Sequence, residues 1–153
     1  MKIKIAIIGS GPSAFYTAQS LLKEGLDYEI DIIEKLFSPY GLIRYGVAPD
    51  HQHTKNVIRV FERTLNNPSV EFFGGLEINN SPSIEDLMSF YDAVVIATGM
   101  AKDIPLNIED SNLDGYYGAT QFVNWYNGHP EYESLSPNLN TDTAIIIGNG
   151  NVA

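Results

Sequence analysis

The stretch that decides the fold is Ile3-Lys4-Ile5-Ala6-Ile7-Ile8-Gly9-Ser10-Gly11-Pro12-Ser13-Ala14. Residues 3–8 are β-branched and almost continuously apolar, which is typical of a strand buried on both faces of a parallel sheet. Apolar residues at helical spacing then predict a helix up to Gly25. Residues 28–33 predict a second strand. Strand, glycine turn, helix and strand make a right-handed βαβ crossover, so we predict an α/β fold with a Rossmann-like parallel sheet.

The glycine turn has the form G-x-G-x-x-A and predicts a dinucleotide site. Gly9 permits a tight turn, Gly11 has no side chain to block a pyrophosphate, and Ala14 lets the helix pack closely on the strand. Glu34 ends the second strand, where its carboxylate can accept a hydrogen bond from a ribose 2′-hydroxyl and would repel a 2′-phosphate. An ordinary glycine turn is the alternative, and the flanking elements favour the site. The motif does not choose between FAD and NAD.

The next part of the chain predicts further βα units. Residues 36–50 are rich in Gly, Pro and Tyr and predict a long functional loop. Ser83, with Asp86 three residues later, predicts a helix with a capping box. The remaining predictions are a helix at 55–65, a short strand at 70–73 and a buried strand at 93–97.

Composition changes near residue 100, where we predict a boundary. Beyond it we predict a short aromatic helix at 119–126 and a buried strand at 143–147. A second G-x-G-x-x-A follows at 148–153. A phosphate cradle needs the helix whose amides hold the anion, and no residues remain to build one. We therefore expect the chain to be a piece of a larger protein; a Gly/Asn-rich turn at a natural C-terminus is the alternative.

Composition excludes several classes of function. The chain has 153 residues, 44% of them hydrophobic, which is enough for one buried core. Nine Lys and Arg against 19 Asp and Glu give a net charge of −10, which disfavours nucleic acid and anionic lipid. Because there are no cysteines, disulfides, Cys-ligated clusters and Cys-x-x-C chemistry are excluded. Neither a signal peptide nor a membrane span is recognisable, so we expect a cytoplasmic protein without membrane insertion.

Longer motifs carry a resemblance to a known family. They are Gly9-Ser10-Gly11-Pro12-Ser13-Ala14-Phe15-Tyr16-Thr17-Ala18, Glu34-Lys35, Pro39-Tyr40-Gly41-Leu42-Ile43-Arg44-Tyr45-Gly46-Val47-Ala48-Pro49-Asp50-His51, Ala97-Thr98-Gly99 and Gly148-Asn149-Gly150-Asn151-Val152-Ala153. Together they closely resemble the adrenodoxin reductase type of ferredoxin–NADP reductase, along the whole chain. The loop motif from Pro39 to His51 distinguishes this family, because many flavoproteins share the glycine turns.

The resemblance implies a flavoprotein that passes electrons from NADPH through FAD to a ferredoxin-type acceptor. It implies that residues 1–100 are the N-terminal part of an FAD-binding domain, and that 101–153 are a crossover and the beginning of an NADP-binding domain. The implied contacts to the adenosine diphosphate half of FAD are Gly9, Gly11, Pro12, Ser13 and Glu34. Those on the flavin side are Gly41 and Leu42, and Ile78 is implied on the adenine side. Asn149, Gly150, Asn151 and Val152 are implied at the pyrophosphate of NADPH.

His51 matches a family histidine beside the flavin that is implied to assist proton movement, a role that suits an imidazole. A locally bonded or solvated loop histidine is the alternative. Arg44 could steady an anion or pair with an Asp, and His53 and His129 are interpreted as surface residues. Two other functions stay open: an FAD/NAD(P)-binding module without turnover, and a flavoprotein similar to the small subunit of glutamate synthase or to a flavin monooxygenase. The absence of a cysteine-rich segment and the long loop speak against the latter.

Overall fold

The structure, a computed structural model, describes residues 2–79, 81–100, 102–107, 109, 113–150 and 152. Its four strands form one parallel sheet in the order β3-β2-β1-β4, which confirms the predicted α/β fold. The strands are β1 (Ile3–Ile8), β2 (Tyr28–Glu34), β3 (Val70–Gly74) and β4 (Ala93–Ile96). The helices are α1 (Pro12–Lys23), α2 (Gly41–Tyr45), α3 (Gln52–Lys55), α4 (Ile58–Leu65), α5 (Ile84–Phe90) and α6 (Ala119–Tyr126), with a 3-10 turn at Pro130–Tyr132.

The two central strands are apolar on both faces because helices cover both faces. Ile5 and Ile7 of β1 point towards α1 and α4, where the rings of Phe15 and Phe61 stack with centroids 4.6 Å apart. Side chains alternate along a strand, so Ala6 and Ile8 lie on the opposite face with Ile33 and Leu87 of α5. This double burial is the physical basis of the near-continuous apolar run at the N-terminus.

Helix α5 begins as the sequence predicts. The Ser83 hydroxyl accepts a hydrogen bond from Asp86 N at 3.1 Å, and the Asp86 carboxylate accepts one from Ser83 N at 2.8 Å. Both bonds satisfy amides that the first turn of a helix leaves free, so the capping box is confirmed. At the other end of the helix, the Tyr91 hydroxyl donates to Asp31 Oδ2 at 2.6 Å, which joins α5 to β2.

The structure differs from the sequence prediction in two helices and in the burial of one strand. The helix predicted at 55–65 is two helices, because the chain tightens around Asn56, where Val57 N bonds to Thr54 O and Arg59 N to Asn56 O. The loop at 36–50 contains the short helix α2. The predicted burial of the strand at 93–97 is wrong: β4 is an edge strand, and Ile96 is 63% exposed because no other described strand lies outside it.

The described residues beyond β4 have little regular structure. Helix α6 occupies the predicted residues, and the Asp103 carboxylate accepts hydrogen bonds from Thr120 N and Gln121 N at its start, at 2.8 and 3.2 Å. The strand predicted at 143–147 is wrong, since Ile145, Ile146 and Ile147 form no ladder and are 87%, 68% and 63% exposed. A β-branched run needs a neighbouring strand to complete its hydrogen bonds, and no described strand lies beside it. Within the described residues, no helix has the length and apolar character to cross a membrane.

Candidate functional site

Parallel strands bring their carboxyl ends to one edge of the sheet, and the first glycine turn, Glu34 and Gly41 of the predicted cofactor residues lie there. Gly9 N donates to Ile33 O at 2.7 Å, and Ala97 N donates to Ile8 O at 2.8 Å, so the ends of β1, β2 and β4 are joined. Gly9 has a φ of 101°, and an added Cβ would collide with the Ala97 carbonyl. The tight turn at Gly9 therefore admits no side chain.

Gly11 has a different reason to be glycine. It is the N-cap of α1, with an extended backbone (φ −80°, ψ −176°), and an added Cβ would meet no atom within 4 Å. Any residue could adopt this backbone conformation without strain. Because no protein atom lies near the position of the added Cβ, the space in front of Gly11 is open to a ligand. Pro12 occupies the first helical position, where the lack of an N–H costs nothing. The remaining free amides of the first turn face this space, which fits a pyrophosphate.

Glu34 lies at the end of β2 and is held by main-chain and side-chain donors. Its Oε2 accepts hydrogen bonds from Ser10 N at 3.0 Å and from Ser10 Oγ at 2.7 Å. Its Oε1 accepts one from Leu36 N at 3.1 Å. The carboxylate therefore lies beside the glycine turn.

The loop at 36–50 is anchored on the same turn. Tyr40 N donates to Ser10 O at 3.0 Å, and the buried Tyr40 ring packs 5.5 Å from the ring of Phe15. Tyr40 has a φ of 91°, rare for a residue with a side chain, and Gly41 follows at 46°. A Cβ added to Gly41 would lie 3.0 Å from Gly11 Cα, so the two glycine backbones are in contact. Leu42 stands next to them and is 59% exposed.

Two cations hold α2 within this loop. The Arg44 guanidinium lies over the Tyr40 ring at 5.3 Å, and its Nε donates to Pro39 O at 3.0 Å. Lys55 Nζ donates to Ile43 O and Arg44 O, at 3.1 and 3.0 Å, and so satisfies the last carbonyls of the helix. Burial, and after it the nearby Arg44 charge, lowers the pKa of Lys55.

The chain is similar to known proteins. It matches no family model. It is 47% identical over 154 residues to NADPH-ferredoxin reductase FprA of Mycobacterium tuberculosis, covering 97% of this chain and 34% of that protein. It is 45% identical over 150 residues to the mitochondrial NADPH:adrenodoxin oxidoreductase of Bos taurus, covering 98% and 30%. The solved structure of Mycobacterium tuberculosis FprA in complex with NADPH superposes with a TM-score of 0.95 at 45% identity, covering 99% and 35%.

The chain is a homologue of the adrenodoxin reductase type of ferredoxin reductase. It spans about a third of the length of the curated relatives it matches. The resemblance stated from the motifs is therefore confirmed over nearly all of this chain, and the fold agrees with that of the solved relative.

The other predicted residues of this reductase homologue lie in other parts of the chain. His51 is exposed before α3, where its carbonyl accepts hydrogen bonds from Thr54 N and Lys55 N. Ile78 is partly buried and packs against the α5-side core. Of the second motif, Asn149 and Gly150 are exposed, Val152 is 71% exposed, and Asn151 lies outside the described residues.

His129 is half-buried and makes contacts with its neighbours. Its ring lies 4.6 Å from that of Tyr45, and its Nδ1 accepts a hydrogen bond from Glu131 N at 3.1 Å. Partial burial is the main cause that lowers the pKa of His129. Lys35 Nζ also donates to Glu131 Oε1 at 2.6 Å, so residues 129–131 dock onto the start of the functional loop.

Sequence reasoning did not single out Ser10 and Tyr40 as site residues in their own right. Ser10 is fully buried between two glycines, and Tyr40 combines a buried ring with a left-handed backbone. The signal for Ser10 was a hydroxyl at the end of an apolar strand that the following glycine turn would enclose. Tyr40 carried a weaker signal, an aromatic residue directly before a glycine in a loop.

Proposed function

We propose that this chain is the adenosine diphosphate-binding part of an FAD-dependent oxidoreductase, which passes electrons from NADPH to a ferredoxin-type acceptor. The observation that carries the proposal is the open space at Gly11, in a fold that superposes on FprA in complex with NADPH with a TM-score of 0.95. The names of the relatives, NADPH-ferredoxin reductase and NADPH:adrenodoxin oxidoreductase, support the donor and the acceptor class.

Each predicted residue has a part in this proposal. Gly9 and Gly11 shape the turn, while Pro12 and Ser13 begin the helix whose amides would hold the pyrophosphate. Glu34 would accept a hydrogen bond from the adenosine ribose, and Ile78 would lie on the adenine side. Gly41 and Leu42 would line the flavin side, supported by the contact between Gly41 and Gly11. The bound flavin supplies the conversion between two-electron and one-electron transfer, and the protein supplies position and electrostatics.

His51 is proposed as the group that holds or moves a proton near the flavin. Its support is the loop in which it lies, since α2 and α3 follow directly from the segment that contacts the glycine turn. An imidazole is suited to the role because it gains and loses a proton near neutral pH. A His51→Gln variant that binds FAD normally but loses the pH dependence of flavin reduction would support this role.

The proposed division into domains follows the distribution of the core. Residues 1–100 would be the N-terminal part of an FAD-binding domain, and both buried clusters draw their members from residues 3–97. Residues 101–153 would be the crossover and the beginning of an NADP-binding domain, where Asn149, Gly150, Asn151 and Val152 would meet the NADPH pyrophosphate. Expressing residues 1–100 alone tests this division: a cooperative thermal transition is expected, and a chain without one would contradict it.

The net charge of this chain affects where the proposed acceptor can bind. At −10 this chain would repel an acidic ferredoxin, so we place the docking surface for the acceptor outside it. Cross-linking of the full-length protein to a ferredoxin, followed by peptide mapping, tests that placement. Cross-links concentrated on residues of this chain would contradict it.

We also propose a cytoplasmic location. Strand β1 supports it, because the apolar run at residues 3–8 is a central strand of the sheet. The relatives from Bos taurus and Arabidopsis thaliana are mitochondrial by name, so import into an organelle is the competing outcome. A fluorescent fusion to the full-length protein, viewed in the source cells, distinguishes the two.

The deciding experiment compares FAD binding by the wild-type chain with that of Gly11→Ala. Since the new methyl group meets no protein atom, we expect the thermal midpoint to stay unchanged within about 3 °C while FAD binding falls by at least about tenfold. Visible absorbance and quenching of flavin fluorescence report binding. Equal FAD affinity in both chains, or no binding by the wild type, would contradict the proposal.

A binding module without turnover is the second candidate for the chain by itself. The observation in its favour is the exposed stretch at 143–147, which forms no strand to carry a second cradle. The two candidates differ in one result: anaerobic NADPH bleaches FAD held by a competent reductase and leaves FAD held by a module unchanged. The full-length protein serves as the positive control for bleaching.

A further inference from the structure

The buried Ser10 and the half-buried Glu34 form a polar pair at the glycine turn. Ser10 has no exposed surface, and its hydroxyl donates to Glu34 Oε2 at 2.7 Å. Among the described residues, every buried side-chain nitrogen and oxygen has a hydrogen-bond partner, so this pair is satisfied. The hydrogen bond from a buried hydroxyl to a carboxylate restricts the rotamers of both side chains.

The three hydrogen bonds to Glu34 are divided unequally between its two oxygens. Oε2 accepts from both Ser10 N and Ser10 Oγ, while Oε1 accepts from Leu36 N alone. A carboxylate has about four acceptor positions, two on each oxygen. Ser10 therefore fills Oε2, and the remaining position is on Oε1.

We infer that Ser10 is a positioning residue that fixes Glu34 so that Oε1 meets the ribose 2′-hydroxyl of an adenine dinucleotide. The inference rests on the proposed function, because it needs the adenosine half of the ligand beside β2. Ser10 acts through Glu34 and touches no ligand itself. It immobilises a flexible side chain before binding, which removes part of the entropic cost of complex formation.

Ser10 also connects Glu34 to the rest of the site. Its carbonyl accepts the hydrogen bond from Tyr40 N at 3.0 Å, so one residue joins the glycine turn, the acid and the functional loop. The side chain and the main chain have separate tasks. Removing only the hydroxyl should change the orientation of Glu34 and leave the anchor of the loop in place.

The test measures how well the chain distinguishes ADP from 2′-deoxy-ADP, by isothermal titration calorimetry. The wild type is expected to prefer ADP by about tenfold or more, because one hydroxyl donates to a carboxylate in ADP only. In Ser10→Ala, where the main-chain bond to Glu34 remains, we expect the preference to fall to about threefold or less. Glu34→Gln should also reduce the preference. Ser20→Ala removes an exposed hydroxyl from α1 and is the matched control.

Ser10→Cys guards against a folding defect, since cysteine nearly preserves the buried volume and is only a weak donor. It should show the same reduced preference with a native circular dichroism spectrum. A Ser10 variant that keeps the wild-type preference, or loses affinity for both nucleotides equally, overturns the inference while the proposed function stands. Wild-type protein that binds ADP without preferring it to 2′-deoxy-ADP overturns the inference and the ribose contact proposed for Glu34, while the pyrophosphate site at Gly11 stands. Wild-type protein that binds neither nucleotide overturns both.

Discussion

Two glycines of the same turn are required for different reasons, and stability measurements should separate them. Gly9→Ala places a methyl group against the Ala97 carbonyl at a φ of 101°, so we expect a loss of about 1–3 kcal/mol in the free energy of unfolding. Gly11→Ala should cost less than about 1 kcal/mol, because its backbone is extended and its methyl group is unobstructed. Urea denaturation of both variants checks the difference. Equal losses would show that the turn is not limited by contact with β4.

The bond between Tyr91 and Asp31 predicts a pH-dependent stability. Burial, followed by the bond to Asp31, raises the pKa of the Tyr91 phenol above its ordinary value. The stabilisation is therefore complete below the unfolded pKa of about 10 and declines as the pH rises further. Tyr91→Phe should lower stability by about 1–2 kcal/mol at pH 7 and flatten the decline above pH 10. Thermal melts across this range test it, with the exposed Tyr126→Phe as control. Identical alkaline profiles would refute the role of Tyr91.

At the scale of the element, α2 depends on a contact from a neighbouring helix. This five-residue helix ends in carbonyls that Lys55 Nζ satisfies. Lys55→Met keeps the aliphatic stem and removes the donor, so we expect α2 to open more often and trypsin to cleave faster after Arg44. Lys23→Met, an exposed residue in the last turn of α1, is the matched control. Unchanged cleavage after Arg44 would mean that Tyr40 alone holds the helix.

Elements could be predicted wherever their determinants are local. The apolar run of β1, the glycine turn and the capping box at Ser83 each contain their own physical cause within a few residues. The prediction of a strand at 143–147 is wrong because a β-branched run specifies only a tendency to form a strand. Strand pairing also needs a partner elsewhere in the chain. The prediction that β4 is buried is wrong for a related reason. The position of a strand in the sheet depends on the order of all the strands and not on the sequence of one strand.

At the scale of the whole molecule, the exposed isoleucines predict a segment that contributes little to stability. Ile145→Asn combined with Ile147→Asn should move the thermal midpoint by less than about 2 °C, because neither side chain is buried. Ile32→Asn, at a fully buried position of β2, is the contrasting control and should abolish cooperative unfolding. A large loss in the double variant would show that residues 145–147 pack against the domain.

The candidate site could be predicted as a set of residues but not as a bonded arrangement. Gly9, Gly11 and Glu34 were identified from spacing, because the βαβ crossover brings the ends of β1 and β2 together. Spacing could not reveal that Ser10 fills one oxygen of Glu34 or that Tyr40 anchors the loop. Ser10 and Glu34 are 24 positions apart in the sequence, and their side chains bond at 2.7 Å. Ser10 and Tyr40 are 30 positions apart, and their main chains bond at 3.0 Å. Only the folded chain determines these contacts.

The parallel register has a consequence for synthesis on the ribosome. Ile5 of β1 pairs with Ala93 of β4, so the strand made first waits for a partner made 88 residues later. At ordinary bacterial and eukaryotic elongation rates, that wait lasts about 4–18 s. Throughout it, one edge of this apolar strand lies open beside the ribosome exit, where chaperones meet nascent chains. The order of strands in the finished sheet thus sets the interval during which the newborn chain is most prone to aggregate.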